Sequence, residues 1–358
     1  MDSYVELCAD REGLDRRAAE KRAELVEWIA FHNPEPDDNP TYFVVTLGDR
    51  VMGHLGRMPT RFSVDGRLHQ ASYFHDLFIH PELVQSGKGF FLSMKLYREA
   101  EKASPSFAAM IWTNDINIRL QRSRKYHEMW FDSYVKLLRV DGHIDRQARE
   151  RLDARLDIPT LKMAGKAAAA TALRFADGIL GTALTRQLGP GGQVVQVDGP
   201  DERFDRFAEA MSNRMGIAPV KTCAYLVWKY FDRPQIDVAC FTALDDRGEI
   251  RGFTVVQIPD QVEEQALIIE LCADPEDSIT VSRLIYRAVE HCRTAGFHSV
   301  GCVATDPRVQ RHLQRFLFIP RPPKRPLFLG RHDTFDRPAI LTATANWHVS
   351  YGDSEGPV

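Results

Sequence analysis

Apolar residues recur along the chain in two rhythms, one helical and one alternating, and together they set out an ordered series of elements. Leu14, Ala18, Leu25, Trp28 and Ile29 form a stripe of helical period among charged residues, which predicts a helix over Arg11 to Ile29. The run Asn33-Pro34-Glu35-Pro36-Asp37-Asp38-Asn39-Pro40 ends it as loop. Tyr42 to Leu47 and Val51 to Gly56 flank Gly48-Asp49-Arg50 and read as a β-hairpin. A second hairpin joins Arg61 to Val64 through Asp65-Gly66 to a long strand from Leu68 to Ile79, which Pro81 ends. The pattern then predicts a helix from about Gly87 to Lys102, a strand from Phe107 to Trp112, a helix from Asn117 to Tyr126 and a strand from Trp130 to Val140.

Between Asp141 and Leu188 the chain becomes charged and then Ala-rich, up to Gly189-Pro190-Gly191-Gly192. This stretch reads as a helical connector; a helix lying on a membrane surface is the weaker reading, because bulky aromatics are missing. The order of elements then repeats. A strand at Gln193 to Val197 and a helix at Phe204 to Met215 precede a hairpin of Val238 to Ala243 with Ile250 to Ile258. A strand at Ala266 to Ala273, a helix at Val281 to Ala295, a strand at His298 to Ala304 and a helix at Val309 to Phe316 follow. Phe78-Ile79-His80-Pro81-Glu82 matches Cys272-Ala273-Asp274-Pro275-Glu276 as a strand stopped by Pro-Glu. A repeat of roughly 190 residues is too long for a solenoid and indicates domain duplication. The expected fold class is α/β (α+β), with two domains that are each a mixed, mostly antiparallel sheet flanked by helices. Their expected spans are 1–140 and 193–358, with the connector at 141–192.

A chain of 358 residues suits two such cores. Its formal net charge of −3 gives no overall attraction to nucleic acid or anionic membrane. None of the six cysteines forms a C-x-x-C pair, and most sit in apolar runs, which fits buried free thiols in a reducing compartment. Met1 to Asp10 shows no basic and apolar leader, and no uncharged run is long enough for a spanning helix. These features place the chain in the cytoplasm. His69, His75 and His80 do not share a strand face, and no H-E-x-x-H or Cys cluster accompanies them, so no metal is expected. The basic run Arg119 to Lys125 reads as a solvated helix face, with an acidic partner as the other reading.

Chemistry concentrates in Leu77-Phe78-Ile79-His80-Pro81-Glu82-Leu83-Val84-Gln85-Ser86-Gly87-Lys88-Gly89-Phe90-Phe91-Leu92. A strand leads through a glycine turn into an amphipathic helix. A helix start presents unpaired N–H groups and the positive end of the dipole, and glycines let a phosphate approach closely. Neither a P-loop nor a dinucleotide fingerprint is present.

This stretch resembles the acyl-CoA-binding loop of the GNAT acyltransferases, Arg/Gln-x-x-Gly-x-Gly/Ala after a strand and a proline. Gly87 and Gly89 fall on its glycines, and Val84 stands where the pattern carries Arg or Gln. The resemblance implies that Gln85, Ser86, Gly87, Lys88, Gly89 and Phe90 hold the pyrophosphate of acetyl-CoA or another acyl-CoA. It also implies that Leu77, Phe78 and Ile79 pair with the pantetheine, and that Asn114 or Asn117 opens the next helix. By the same resemblance a small-molecule primary amine attacks the thioester directly. Asp76 is the first candidate base and His75 the second; strict alternation puts them on opposite faces, so only one meets substrate. Tyr126 is the candidate acid. In the second half Asp277-Ser278-Ile279-Thr280 replaces the glycine loop, so that copy is expected to bind no CoA. A long-chain N-acyl amino acid synthase-like enzyme and a non-catalytic acyl-CoA- or partner-binding protein are the competing readings.

Overall fold

The first helical stripe forms two helices rather than one in the computed structural model, which describes residues 2–13, 15–35, 37–110, 115–139, 193–261, 265–323, 325–331 and 335–353. They are α1 (Asp2–Glu12) and α2 (Arg16–Phe31). Asp15 separates them and caps α2, accepting the Ala18 amide at 2.8 Å; such a cap is worth about 1 kcal/mol. The chain continues through β1 (Tyr42–Leu47), β2 (Arg50–Val64), β3 (Arg67–Ile79), α3 (Pro81–Gln85), α4 (Gly89–Lys102), β4 (Ala108–Met110), α5 (Asp115–Ser123), β5 (His127–Met129) and β6 (Ser133–Leu137). After residue 192 come β7 (Gln193–Val197), α6 (Glu202–Ser212), β8 (Ile217–Pro219), α7 (Cys223–Leu226), β9 (Val238–Leu244), β10 (Ile250–Gln257) and β11 (Ala266–Ala273). The described elements end with α8 (Ser278–Thr294), β12 (Ser299–Val303), α9 (Pro307–Arg315), β13 (Ile319–Arg321), β14 (Leu327–Gly330) and α10 (Pro338–Thr342). The connector expected at 141–192 lies outside the described residues.

Two compact units result, neither continuous in sequence. One joins Met1–Phe131, Pro200–Ile236 and Pro323–Val358; the other joins Asp132–Gly199 and Asp237–Pro322. Each holds a seven-stranded, mostly antiparallel sheet. The first runs β1-β2-β3-β4-β14-β5 with β8 paired to β2, and the second runs β13-β6-β12-β11-β10-β9-β7.

The strand expected over Trp130 to Val140 is two strands in different sheets. β5 ends the first sheet, while β6 enters the second between β12 and β13. In return β14, from near the C-terminus, lies antiparallel between β4 and β5. The units therefore differ from the expected spans 1–140 and 193–358: the chain from Asp132 joins the second unit, while Pro200–Ile236 and Pro323–Val358 join the first.

In the first unit, Leu96, Tyr97 and Ala100 turn one face of α4 onto Leu55, Phe74 and Phe328 of the sheet. Burying each large side chain of this kind contributes about 1.5–3 kcal/mol. In the second unit, Val281, Leu284, Ile285, Ala288 and Cys292 line α8 at helical spacing and pack on β9 to β12. Both helices thus use the 3.6-residue period read from the sequence, and both follow a strand that ends in proline.

Candidate functional site

β3 does not alternate regularly to its end. Its register against β2 shifts between the pairs Gly56↔His75 and His54↔Phe78, so Leu55 faces two residues, Asp76 and Leu77. Asp76 takes the left-handed backbone conformation there, with φ +55°, uncommon for a residue with a side chain. The bulge corrects the expectation of opposite faces. Phe74, Leu77 and Ile79 pack with the α4 core, whereas His75 and Asp76 both lie on the face of His54, which α1 and α2 cover. An extra residue in a strand re-aims its side chains in this way.

A buried polar cluster occupies that face. Arg22 of α2 pairs with Asp76 at 2.9 Å, and the His54 ring lies 3.4 Å from the other carboxylate oxygen. The Asp76 and His54 side chains are each 1% exposed. Tyr42 meets the rings of His54 and His75 edge-on, with centroids 5.9 and 5.6 Å away. Tyr4 of α1 lies over His54 at 5.1 Å. Burial first, then the charge of Asp76, pushes the Tyr4 phenol well above its ordinary value, so it stays protonated. A side chain on Gly56 would run into the His75 ring, so glycine is required there. Arg22, His54, Tyr4 and Tyr42 were not singled out from the sequence. They come from two helices and two strands, and nothing in their spacing joins them to Asp76.

The glycine turn follows directly. His80 caps α3: its Nδ1 accepts the Glu82 amide at 3.2 Å, which leaves Nε2 as the donor toward Asp10 of α1 at 3.3 Å. The Gly87 and Lys88 amides bond to Val84 and Leu83 carbonyls at 3.0 Å each, and the Ser86 hydroxyl to Leu83 at 2.9 Å. The turn thus consumes groups expected to face an anion, and the long helix begins at Gly89, two residues later than expected. The helix-start amides are those of Gly89, Phe90 and Phe91, and Lys88 at the cap position makes no side-chain capping bond. Gly87 has φ +78° with open space around it, while a side chain on Gly89 would press on Val84 at 3.0 Å. One glycine serves the turn and the other the close packing of α3 on α4. Gln85 and Phe90 are exposed.

Beside this turn β3 has a short pairing with its second neighbour among the described residues. Its parallel pairing with β4 covers Ser72↔Ala108 and Tyr73↔Ala109. From Phe74 to Ile79 it continues on β2 alone among the described residues. Among the described residues Leu77, Phe78 and Ile79 thus have β2 as their one strand neighbour, and they lead into the glycine turn; residues 111–114, which follow β4, lie outside the described residues.

Tyr126 lies elsewhere. Its hydroxyl donates to Glu101 near the C-terminal end of α4, and Arg124 joins the pair, 2.5 Å from Glu101. Burial raises its phenol well above the ordinary value. Glu101 is twelve residues beyond Gly89, ~18 Å along the axis at 1.5 Å per residue, so the structure does not bring Tyr126 to the glycine turn. Asn117 is buried and accepts a hydrogen bond from Tyr97 at 3.3 Å. Asn114 lies outside the described residues. Among the described residues no group of three or more His, Cys, Asp or Glu is arranged to hold a metal ion.

The second unit repeats the frame with different chemistry. β11 also carries a register shift, between Val255↔Glu270 and Val256↔Ile268. Glu270 precedes Pro275 by as many residues as Asp76 precedes Pro81, and it is completely buried. The start of α8 is filled by its own side chain: Asp277 accepts the Thr280 amide at 3.1 Å and its hydroxyl at 2.9 Å. Arg251 pairs with Asp277 at 3.0 Å, and Arg308 pairs with Glu276.

The whole arrangement matches solved structures. A GCN5-related N-acetyltransferase from Kribbella flavida aligns at 15% identity over 92% of this chain and 67% of that one, with a TM-score of 0.56. A conserved protein of unknown function from Enterococcus faecalis V583, described as a probable N-acyltransferase, aligns at 9% over 92% and 69%, TM-score 0.57. A GCN5-related N-acetyltransferase from Anabaena variabilis aligns at 12% over 91% and 68%, TM-score 0.54. The chain has the GNAT fold. At these identities the likeness is one of fold. No family model matches the sequence, and no curated protein matches it. No described helix is long and apolar enough to cross a membrane. The glycine turn belongs to the first unit, whereas a register shift and a short parallel pairing, which ends at Ile268↔Cys302, recur on β11 of the second.

Proposed function

We propose that the first unit is an N-acyltransferase that moves an acyl group, acetyl in the simplest case, from acyl-CoA to a primary amine of a small molecule. The observation that carries this reading is the uncapped, glycine-led start of α4, which follows a β3 segment that pairs, among the described residues, with β2 alone. The helix-start amides of Gly89, Phe90 and Phe91 and the Lys88 ammonium suit the pyrophosphate, and the β3 backbone at Leu77, Phe78 and Ile79 suits the pantetheine amides. The residues present fit the donor without a polar side chain at position 84.

The amine nitrogen bonds to the acyl carbon, the carbon–sulfur bond breaks, and the proton lost by nitrogen ends on the departing sulfur. Asp76 and His75 stand at the bulge just before this segment. Asp76 anchors a buried network with Arg22 and His54 that fixes the bulged strand beside the reacting groups. Asp76 acts as a positioning residue in this scheme, since its carboxylate is almost fully enclosed. The second unit, with its helix start closed by Asp277, binds no donor.

Calorimetric titration with acetyl-CoA and with a long-chain acyl-CoA, beside a Gly87→Glu variant, tests the donor site. Saturable binding at one site per chain, lost in the variant, is the expected result. Absence of binding to either donor overturns the reading. A transfer assay across a panel of amines, read as released thiol, then tests turnover.

A further inference from the structure

The outer face of α4 is a ridge of helical spacing. Lys88, Phe91, Lys95, Arg98 and Lys102 follow one another three or four residues apart and so share one side. α5 presents Ile116, Arg119 and Arg122 in the same manner. Tyr97 of α4 donates to Asn117 of α5 at 3.3 Å, and Arg124, just beyond α5, reaches Met94 of α4 at 3.8 Å. Each ridge opens on an apolar side chain held in water: Phe91 is 70% exposed and Ile116 79%. Phe90 and Val84, beside the glycine turn, are 60% and 54% exposed.

Charge is strongly one-sided here. Between Pro81 and Lys125 eight Lys and Arg stand against four Asp and Glu, in a chain whose net charge is −3. Lys102 is matched by Glu99 at 2.8 Å and Arg122 by Glu128 at 2.8 Å. Glu99 is held below the ordinary carboxylate range by Lys102 first, with Lys95 and Arg98 adding to it. Lys88, Lys95, Arg98 and Arg119 form no ion pair with another described residue.

We propose that this ridge surface docks an acidic acyl carrier protein, whose phosphopantetheine arm presents the acyl thioester at the β3 edge. The inference rests on the donor site of the preceding section and names a class of donor for it. Three observations favour such a partner. The ridge begins at the donor turn itself, so a protein lying on it has its arm beside Gly87. The basic residues extend from Lys88 to Arg98, ~15 Å along the axis at 1.5 Å per residue, and onto a second helix, a wider field than one nucleotide at the helix start occupies. The exposed Phe90, Phe91 and Ile116 are the kind of apolar anchors a protein surface covers. In the reaction the carrier's carbon–sulfur bond breaks, the amine nitrogen takes the acyl group, and the nitrogen's proton passes to the carrier thiol.

The test compares a bacterial acyl carrier protein charged with an acetyl group, acetyl-CoA, and vesicles containing phosphatidylglycerol, using the full chain and its Lys95→Glu/Arg98→Glu variant. Binding of fluorescently labelled carrier is read by anisotropy, and transfer is read as acylated amine. The proposal expects the carrier to bind and to donate. It expects the variant to weaken carrier binding at least tenfold and added salt to do the same, while the KM for acetyl-CoA changes less than twofold. Transfer from acetyl-CoA with no carrier binding overturns the carrier and leaves the donor site standing. Equal weakening of both donors assigns the ridge to CoA and also overturns it. Vesicle binding that depends on Phe90 and Phe91, without carrier binding, assigns the surface to a membrane instead. No binding of either donor removes both readings.

Discussion

The two units build the same corner, a bulged strand, a proline and a long helix, and close it differently. In the first, α4 starts at Gly89 after a turn that leaves its leading amides uncapped, with Lys88 alongside. In the second, α8 starts under the carboxylate of Asp277, with Glu276 next to it and Arg251 and Arg308 neutralising the pair. Both solve the same problem, since a helix start carries partial positive charge and unmade hydrogen bonds. Asp277 solves it within the chain and gains stability. At Gly89 it is left unmet by any side chain, the feature on which the proposed donor site rests, and the chain gives up about the 1 kcal/mol a cap supplies. The bulges differ less: a buried acid stands at the same distance before the proline in each, Asp76 in one and Glu270 in the other. The acid is therefore part of the frame, and the open helix start is what separates the unit assigned a donor from the one that is not.

The sharpest way to break this comparison is to remove both acids in turn. Asp76→Asn leaves Arg22 without its buried partner, a change that costs about 3–5 kcal/mol when such pairs are broken. In chemical denaturation a loss of that size is expected, together with a drop in transfer of about 10²-fold and acetyl-CoA affinity within threefold of the original. Glu270→Gln is expected to lower stability while the transfer rate per folded molecule stays the same. Equal losses of rate in both variants end the assignment of chemistry to the first unit.

Next in size is Gly87→Glu. It forces a side chain into φ +78°, a strain of about 1–2 kcal/mol, and sets a carboxylate at the helix start. Acetyl-CoA affinity should fall more than a hundredfold by calorimetry, with the melting temperature lowered by only a few degrees. Making α4 resemble α8 gives a smaller change: Lys88→Asp should cap the helix, raise stability by about 0.5–1 kcal/mol and weaken the donor about tenfold. Improved donor binding in that variant would count against the anion site.

The smallest effect concerns Asp277. Burial pushes its carboxyl up, but the hydrogen bonds from Thr280 and Arg251 outweigh that, and it rests below the ordinary value. A depressed carboxyl stabilises the fold fully above its unfolded pKa, about 3.9, and the contribution fades as pH drops through the folded value. Denaturation of the original and Asp277→Asn should differ by about 1 kcal/mol at pH 7, and the gap should shrink at pH 3. A gap that persists unchanged would deny the carboxylate its capping role.

Much of this was legible in the residues. The duplication, the hairpins, the glycine turn at Gly87 and Gly89 and the acidic replacement at Asp277 all follow from local pattern, because turn, cap and helix period are short-range properties. α4 starts two residues later than the helical pattern predicts, because the turn spends the Gly87 and Lys88 amides on Val84 and Leu83. The opposite faces expected for His75 and Asp76 failed because one bulge residue breaks the two-residue period. Tyr126 was a choice by order along the chain; the fold gives it to Glu101 instead.

The sequence by itself determined the kind of fold, its repetition and which helix start is open, since those depend on neighbours a few positions apart. Tertiary structure alone decided which strands share a sheet. β6 and β14 carry no mark of their destination, because alternation records that a face is buried and not which partner buries it. It also decided what surrounds Asp76: Arg22, His54, Tyr42 and Tyr4 reach it from separate elements, and only packing puts residues so distant in sequence within bonding range.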